Sequence, residues 1–338
     1  MSDCKTPSMS CPSCSSSMIV SHLLGKHQYV DKFEYSYLEC LKCDLVFVFP
    51  IPSSEILVEI YTPSNYANTY VYNRNESKDC DPLDLDSSVD NRVDNSNESF
   101  QTKKDKQALF KLLFKYKREN NYQNLLDFGC GNGNFSIFAR KCGYQVTAYE
   151  PLPQDVNLLS KKTLSGSDNI EILTGEIGVL LESGRKFDII FLADVLEHLP
   201  YPIETLCKLR HLLSSKGVFM ILSPLESSTN IGTIFLKLYK NIKKISKAST
   251  IANNPPYHLF LFNKRSLIRL INNASLQMIN YTPYSIDWPF TVRQNDGSIK
   301  ALAMKIIGKT NIVIGESILG RLLNLQNRAI VIAKWIKE

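Results

Sequence analysis

Leu125-Leu126-Asp127-Phe128-Gly129-Cys130-Gly131-Asn132-Gly133-Asn134-Phe135 organises the chain, and it is answered by Gln145-Val146-Thr147-Ala148-Tyr149-Glu150. An apolar run, a glycine turn, a helical stretch and a second apolar run closed by an acid together predict a strand, a turn, a helix and a strand. Glycines at 129, 131 and 133 let the backbone turn with positive φ and let a ligand approach the main chain without meeting a Cβ. Glu150, at the tip of the second strand, is placed to accept both hydroxyls of a ribose. Spacing separates two kinds of nucleoside-bearing ligand. A dinucleotide fingerprint needs G-x-G-x-x-G, and counted from Gly129 its third glycine falls on Asn134. The turn here is G-x-G-x-G.

The same alternation runs outward from this unit. Strands are expected at 124–128, 145–149, 170–173, 187–192 and 217–222, with helices near 134–142, 154–164 and 202–213 and another from Lys103 onward. Strands alternating with helices imply a parallel sheet with right-handed crossovers. Ligands on such sheets sit beyond the carboxyl ends of the strands, where Gly129, Glu150, Glu176 and Asp194 all fall. Asp188, at the start of its strand, is read as structural, and Cys130 and Cys142 pack. Toward the C-terminus a helix is expected over 265–272, a strand near 277–282 and a final strand at 328–334. The apolar but glycine-broken stretch 294–326 yields no clear element.

Near the N-terminus, Cys11-Pro12-Ser13-Cys14 and Cys40-Leu41-Lys42-Cys43 form two C-x-x-C knuckles. Each supplies two thiolates, and together they make a closed tetrahedral site for structural zinc with no position left for catalysis. Strand-like pieces at 28–30 and 34–38 suit a zinc ribbon, which is too small to fold on an apolar core alone. After it come a Pro-x-Pro and a short helix capped by serine at 54–61. The Asp-, Asn- and Ser-rich stretch 73–99 reads as a loop. The resulting division is a zinc ribbon at 1–50, a short helix and acidic linker at 51–100, and an α/β domain at 101–338 with an acceptor cap around 224–263.

The glycine-turn residues resemble the first motif of class I S-adenosylmethionine-dependent methyltransferases, an apolar strand, Asp and a G-x-G-x-G turn. Asp127 to Gly133 match it position by position, and the resemblance continues through Thr174-Gly175-Glu176 and through Phe187 to Leu199. It implies a Rossmann-like fold, a seven-stranded, mostly parallel sheet with helices on both faces. It also implies S-adenosylmethionine as cofactor, held by Asp127, Gly129, Cys130, Gly131, Gly133, Glu150, Glu176 and Asp194. A Cys₄ ribbon, Pro-x-Pro, short helix and tyrosines (Tyr61, Tyr66) resemble a subset of these enzymes that acts on sugars in surface-polysaccharide or antibiotic pathways.

Methyl transfer to a hydroxyl needs a base, most often histidine. His198 directly follows the fourth strand's edge beside Glu197, and His258 stands in a His-x-x-x-Phe-Asn pattern. In sugar C-methyltransferases that this segment resembles, a Glu precedes the corresponding His. Here Tyr257 takes that place, which favours O-methylation with His258 as base. No acid lies between Glu226 and Asp287, whereas Lys237, Lys240, Lys243, Lys244, Lys247, Lys264, Arg265 and Arg269 do. Such a segment suits an anionic acceptor, a sugar or nucleotide-sugar with its phosphates. The lysine-rich stretch 231–247 also reads as an amphipathic helix, packed in the cap or lying on a membrane surface.

With 338 residues the chain holds one α/β domain of roughly 200–250 residues and a smaller module. Its net charge of +6 does not by itself announce a nucleic-acid binder. The absence of a signal-like start and of any long apolar run points to a soluble cytoplasmic protein, or one peripheral to the inner face of the membrane. Nine cysteines in such a chain point to metal or buried thiols before disulfides. Two further readings stand beside the sugar methyltransferase: an RNA methyltransferase docking through its ribbon, and a scaffold that binds cofactor without catalysis.

Overall fold

A computed structural model of the chain describes residues 10–29, 33–61, 103–131, 133–151, 170–226, 252–253, 255–286 and 299–336. The expected helix at 154–164, the acidic stretch 73–99 and the amphipathic stretch 231–247 lie outside them. Two compact units divide the chain. One comprises Met1–Tyr61, Ala193–Arg210 and Phe219–Glu338, the other Thr62–Leu192 and His211–Val218.

The first unit contains a five-stranded sheet. β1 (Ile19–Tyr29) pairs antiparallel with β2 (Phe33–Cys40), and β2 with β3 (Val46–Phe49). β9 (Ala252–Asn253) adds parallel to β1, and β10 (Phe260–Leu261) antiparallel to β3, giving the order β10-β3-β2-β1-β9. Residues 1–50 thus supply three strands, and the outer two arrive from far along the chain. Val46, Phe47 and Val48 are all buried, as a strand covered on both faces requires. α1 (Ser54–Ile60) follows, its first turn capped by Ser53, whose hydroxyl accepts from the Ile56 N–H at 3.5 Å.

A second sheet has seven strands in the order β11-β12-β8-β7-β4-β5-β6. β4 (Asn124–Phe128) runs parallel to β5 (Gln145–Glu150) and to β7 (Phe187–Ala193), and β5 parallel to β6 (Glu171–Thr174). β12 (Arg328–Trp335) is antiparallel to both β8 (Leu213–Pro224) and β11 (Leu276–Tyr284). This is the expected Rossmann-like, mostly parallel sheet. In the second unit α2 (Lys103–Asn120) buries Leu109 and Leu113, one turn apart, and α3 (Asn134–Lys141) buries Phe135 and Ala139 at the same spacing. Leu125, Leu126, Ile189, Ile190 and Phe191 are inaccessible to solvent, and Phe135 stacks on Phe191 with ring centroids 3.6 Å apart. Asp188 is structural: its carboxylate accepts from the Gln123 and Asn124 N–H groups at 2.9 and 3.1 Å and from the Ser214 hydroxyl at 2.7 Å.

Three further helices are short links. α4 (Ile177–Glu182) follows β6, α5 (Pro202–Leu209) follows β7, and α6 (Lys264–Asn273) precedes β11. A capping box opens α6: Asn263 accepts from the Ser266 N–H at 2.9 Å, and Ser266 accepts from the Asn263 N–H at 3.0 Å. The stretch left unassigned by sequence contains α7 (Ile299–Glu316) and α8 (Ile318–Leu322). A Cβ at Gly315 would strike the Ser285 side chain, and one at Gly320 the backbone of Ile314. Gly315 and Gly320 therefore serve close packing rather than chain breaking. Among the described residues no helix is long and apolar enough to cross a membrane.

Candidate functional site

The glycine turn in the second unit has the geometry its sequence requires. Gly129, Gly131 and Gly133 have φ of 75°, 51° and 73°, values that L-residues avoid. The Gly129 and Cys130 N–H groups both donate to the Tyr149 carbonyl, at 2.8 and 3.0 Å, so the end of β5 holds the turn. Glu150, buried at that end, accepts from the Gly131 N–H at 3.0 Å. A carboxylate has about four lone-pair positions, so this contact is compatible with accepting ribose hydroxyls as well. Open space surrounds the position of a Cβ at Gly131.

Asp127, in β4 just before the turn, is buried. It is 2% exposed, and the Ser136 hydroxyl donates to it at 2.5 Å, tying the end of β4 to α3. Burial raises its pKa to about 7; the Ser136 hydrogen bond opposes that rise and the Glu150 charge adds to it. Cys130 is buried. Glu176, at the end of β6, is exposed and starts α4 without a side-chain cap. Just before it, the Gly175 carbonyl accepts from the Tyr149 hydroxyl at 2.7 Å.

In the first unit, the segment after β7 carries Asp194, Glu197 and His198. Asp194 has a φ of 53° and is gripped by the buried Arg328, whose Nη2 donates to both carboxylate oxygens at 2.9 Å. This segment is stitched to the one before β10, because the Leu259 and Phe260 N–H groups donate to the Glu197 carbonyl at 2.7 and 3.2 Å. The stitching brings His198 and His258 together with ring centroids 4.8 Å apart, edge to face. Sequence reading had named both histidines but gave no reason for their meeting.

Each ring is oriented through Nδ1. His258 Nδ1 lies 2.5 Å from Glu226 Oε2, and a carboxylate at neutral pH can only accept, so Nδ1 carries the proton. His198 Nδ1 lies 2.6 Å from the Tyr257 carbonyl, also an obligate acceptor. That carbonyl further accepts from the Tyr61 hydroxyl at 2.8 Å. Tyr257 therefore enters the cluster through its backbone oxygen. The two histidines titrate apart. Burial alone would lower the pKa of His258, but the charge and hydrogen bond of Glu226, with Glu197 and Asp194, raise it to about 9. Burial, then the neighbouring His258, pushes His198 down to about 3. Burial pushes Glu197 up to about 8, reinforced by Asp194 and Glu226 and opposed by His258. Glu226 was missed at the level of sequence, although an acid just past the end of β8 satisfies the same strand-end rule that marked Glu150.

Cys11, Cys14, Cys40 and Cys43 converge as their spacing predicts, all four sulfurs lying within 4.8 Å of one another. The closest pairs are Cys11 with Cys43 at 3.5 Å and Cys14 with Cys40 at 3.6 Å. Four thiolates around one zinc at about 2.3 Å would stand ~3.8 Å apart, so the cluster fits that ion. Both knuckles fold alike. The residue after each second cysteine, Ser15 or Asp44, has φ near 57° (56° and 58°) and donates its N–H to the carbonyl of the first.

The sequence profile of the family described as "Methyltransferase domain" matches residues 99–281. Among curated proteins, a ubiquinone biosynthesis O-methyltransferase of Methylobacterium nodulans is 26% identical over 87 residues, covering 25% of this chain and 35% of its own. One from Cereibacter sphaeroides is 29% identical over 102 residues, 30% of this chain and 41% of its own. The chain thus spans about two fifths of these relatives or less. A solved structure, the Burkholderia thailandensis 1,6-didemethyltoxoflavin-N1-methyltransferase with bound 1,6-didemethyltoxoflavin and S-adenosylhomocysteine, is 12% identical. It aligns with 93% of this chain and 100% of its own at a TM-score of 0.49.

Proposed function

Because the chain belongs to the methyltransferase-domain family, we propose that it transfers the methyl group of S-adenosylmethionine to a hydroxyl of a small anionic acceptor, a sugar or nucleotide-sugar. The observation that carries this reading is the G-x-G-x-G turn with three left-handed glycines, closed by Glu150. Bound there, the sulfonium supplies a methyl group already activated for transfer. The chain's own tasks are to orient the acceptor, exclude water and take up the hydroxyl proton.

His258 takes that proton on Nε2. Glu226 fixes the ring through Nδ1 and stabilises the imidazolium that forms, so the acid expected immediately before the histidine is replaced by one from the end of β8. His198, neutral with its one proton on Nδ1, takes up no second proton in the working pH range and orients the acceptor by accepting through its Nε2. An anionic acceptor is supported by the acid-free stretch between Glu226 and Asp287 and by its lysines at 237–247. The Cys₄ cluster holds zinc in a structural role, since all four ligand positions are taken.

The test is transfer of labelled methyl from S-adenosylmethionine into a cell extract fractionated into nucleotide sugars, lipid-linked glycans and RNA. Label in a sugar fraction is the expected result. Label in RNA would make the ribbon a docking module and overturn the sugar acceptor. Cofactor binding with no label in any fraction would leave a scaffold.

A further inference from the structure

Glu197 is fully buried, and neither of its carboxylate oxygens has a hydrogen-bond partner among the described residues. A buried carboxyl in that condition costs several kcal/mol unless something neutralises or binds it. What surrounds it is a set of donors. A ring nitrogen of His198, one of His258 and an oxygen of Glu197 lie within 4.8 Å of one another. Two imidazoles and one carboxylate are a common ligand set for zinc and its neighbours in the first transition row.

The second layer points the same way. Metal-ligating histidines characteristically donate their other N–H to a carboxylate or a backbone carbonyl, which fixes the tautomer and raises ligand basicity. His258 does so to Glu226 at 2.5 Å and His198 to the Tyr257 carbonyl at 2.6 Å. In the neutral rings the lone pair then resides on Nε2 of each. From these observations we infer that Glu197, His198 and His258 form a second metal site, which takes a divalent transition-metal cation of the zinc or cobalt class. Ligands at about 2.0–2.2 Å from a shared ion stand roughly 3–4 Å apart, so small side-chain rotations close the triad.

The site goes beyond the proposed methyl transfer, and it constrains it. The ion occupies the His258 nitrogen that accepts the acceptor's proton, so loading this site stops turnover. The experiment uses the full chain carrying one equivalent of zinc, titrated with Co²⁺. A second equivalent is expected, with the d–d absorption of nitrogen and oxygen ligands and without thiolate charge-transfer bands. Glu197→Gln and His198→Gln should each remove that second equivalent while retaining the zinc, which shows the fold intact. Saturation at one equivalent per chain, or an unchanged cobalt spectrum in both variants, would overturn the site. Cobalt uptake needs no acceptor, so it stands or falls apart from the methyl-transfer reading, which is tested by turnover of the protein without the second ion.

Discussion

Two donor clusters in the first unit are assembled in different ways. Cys11, Cys14, Cys40 and Cys43 come from two knuckles whose backbone turns repeat each other, with Ser15 and Asp44 in the left-handed region at equivalent places. Glu197, His198, Glu226 and His258 come from three separate segments, joined by backbone bonds to the Glu197 carbonyl and by the Glu226–His258 pair. The first cluster can be read from spacing because the ligand set and the turn that presents it are local. The second exists only once β10 has paired with β3 and the segment following β7 has met it. A cluster made of local turns tolerates drift elsewhere in the fold, whereas one made of remote segments depends on the whole unit.

That contrast predicts a hierarchy of effects. Cys40→Ser should cause the largest. Structural zinc sites in small modules contribute an apparent ~10–16 kcal/mol of binding energy, more than the hydrogen bonds from Asn263 and Asn273 to the Asp44 and Ser13 carbonyls supply to the knuckles. Metal analysis should find the zinc gone and proteolysis should open residues 10–49; a variant that keeps both zinc and protease resistance would break the comparison. His258→Ala comes next. It should lower turnover by about 10²–10⁴-fold, the range for a general base, with S-adenosylmethionine affinity unchanged in calorimetry. Near-normal turnover would remove His258 as base.

Glu150→Ala sharpens the comparison from the second unit, where the site is local but serves binding. Loss of hydrogen bonds to a charged group, about 1.5–3 kcal/mol each, should weaken the cofactor at least ~10-fold. Equal affinity in the variant would overturn the ribose assignment. The smallest effect is on stability against pH. His258 has its pKa raised above its unfolded value, so its pairing with Glu226 contributes stability fully present below about pH 6.5 and lost as pH rises through about 9. Glu197, Asp194 and His198 face the same ring and set where in that window the loss falls. Denaturant midpoints taken across it should fall in the wild type and flatten in Glu226→Gln.

Much of the fold was legible because the chain repeats one physical signal. The parallel strands β4, β5 and β7 are buried apolar runs, and each begins within a residue of its expectation at 124, 145 and 187. Reading failed where tertiary contact overrides local pattern. β1 runs from Ile19, well before the piece expected at 28–30, because a register shift between Ser21 and Lys26 breaks the alternation that marks a strand. α7 and α8 were hidden by glycines whose purpose, close approach to Ser285 and to the Ile314 backbone, is invisible in one dimension. At the candidate site, the glycine turn, Glu150 and the four cysteines were legible. The Glu226–His258 pair was not, because the sequence separates its members and the acid-free stretch between them offers no local sign of a carboxylate partner.

The most direct measurement is the pH dependence of methyl transfer, with the second ion removed, for the wild type and for Glu226→Gln. The free imidazole of His258 is the form that accepts a proton, so the wild-type rate should rise with pH and level off above about 9. In Glu226→Gln the limb should move to lower pH and the plateau should drop by about tenfold or more, with cofactor affinity unchanged. The same limb in both proteins would contradict the pairing of Glu226 with His258 as the device that takes up the acceptor's proton.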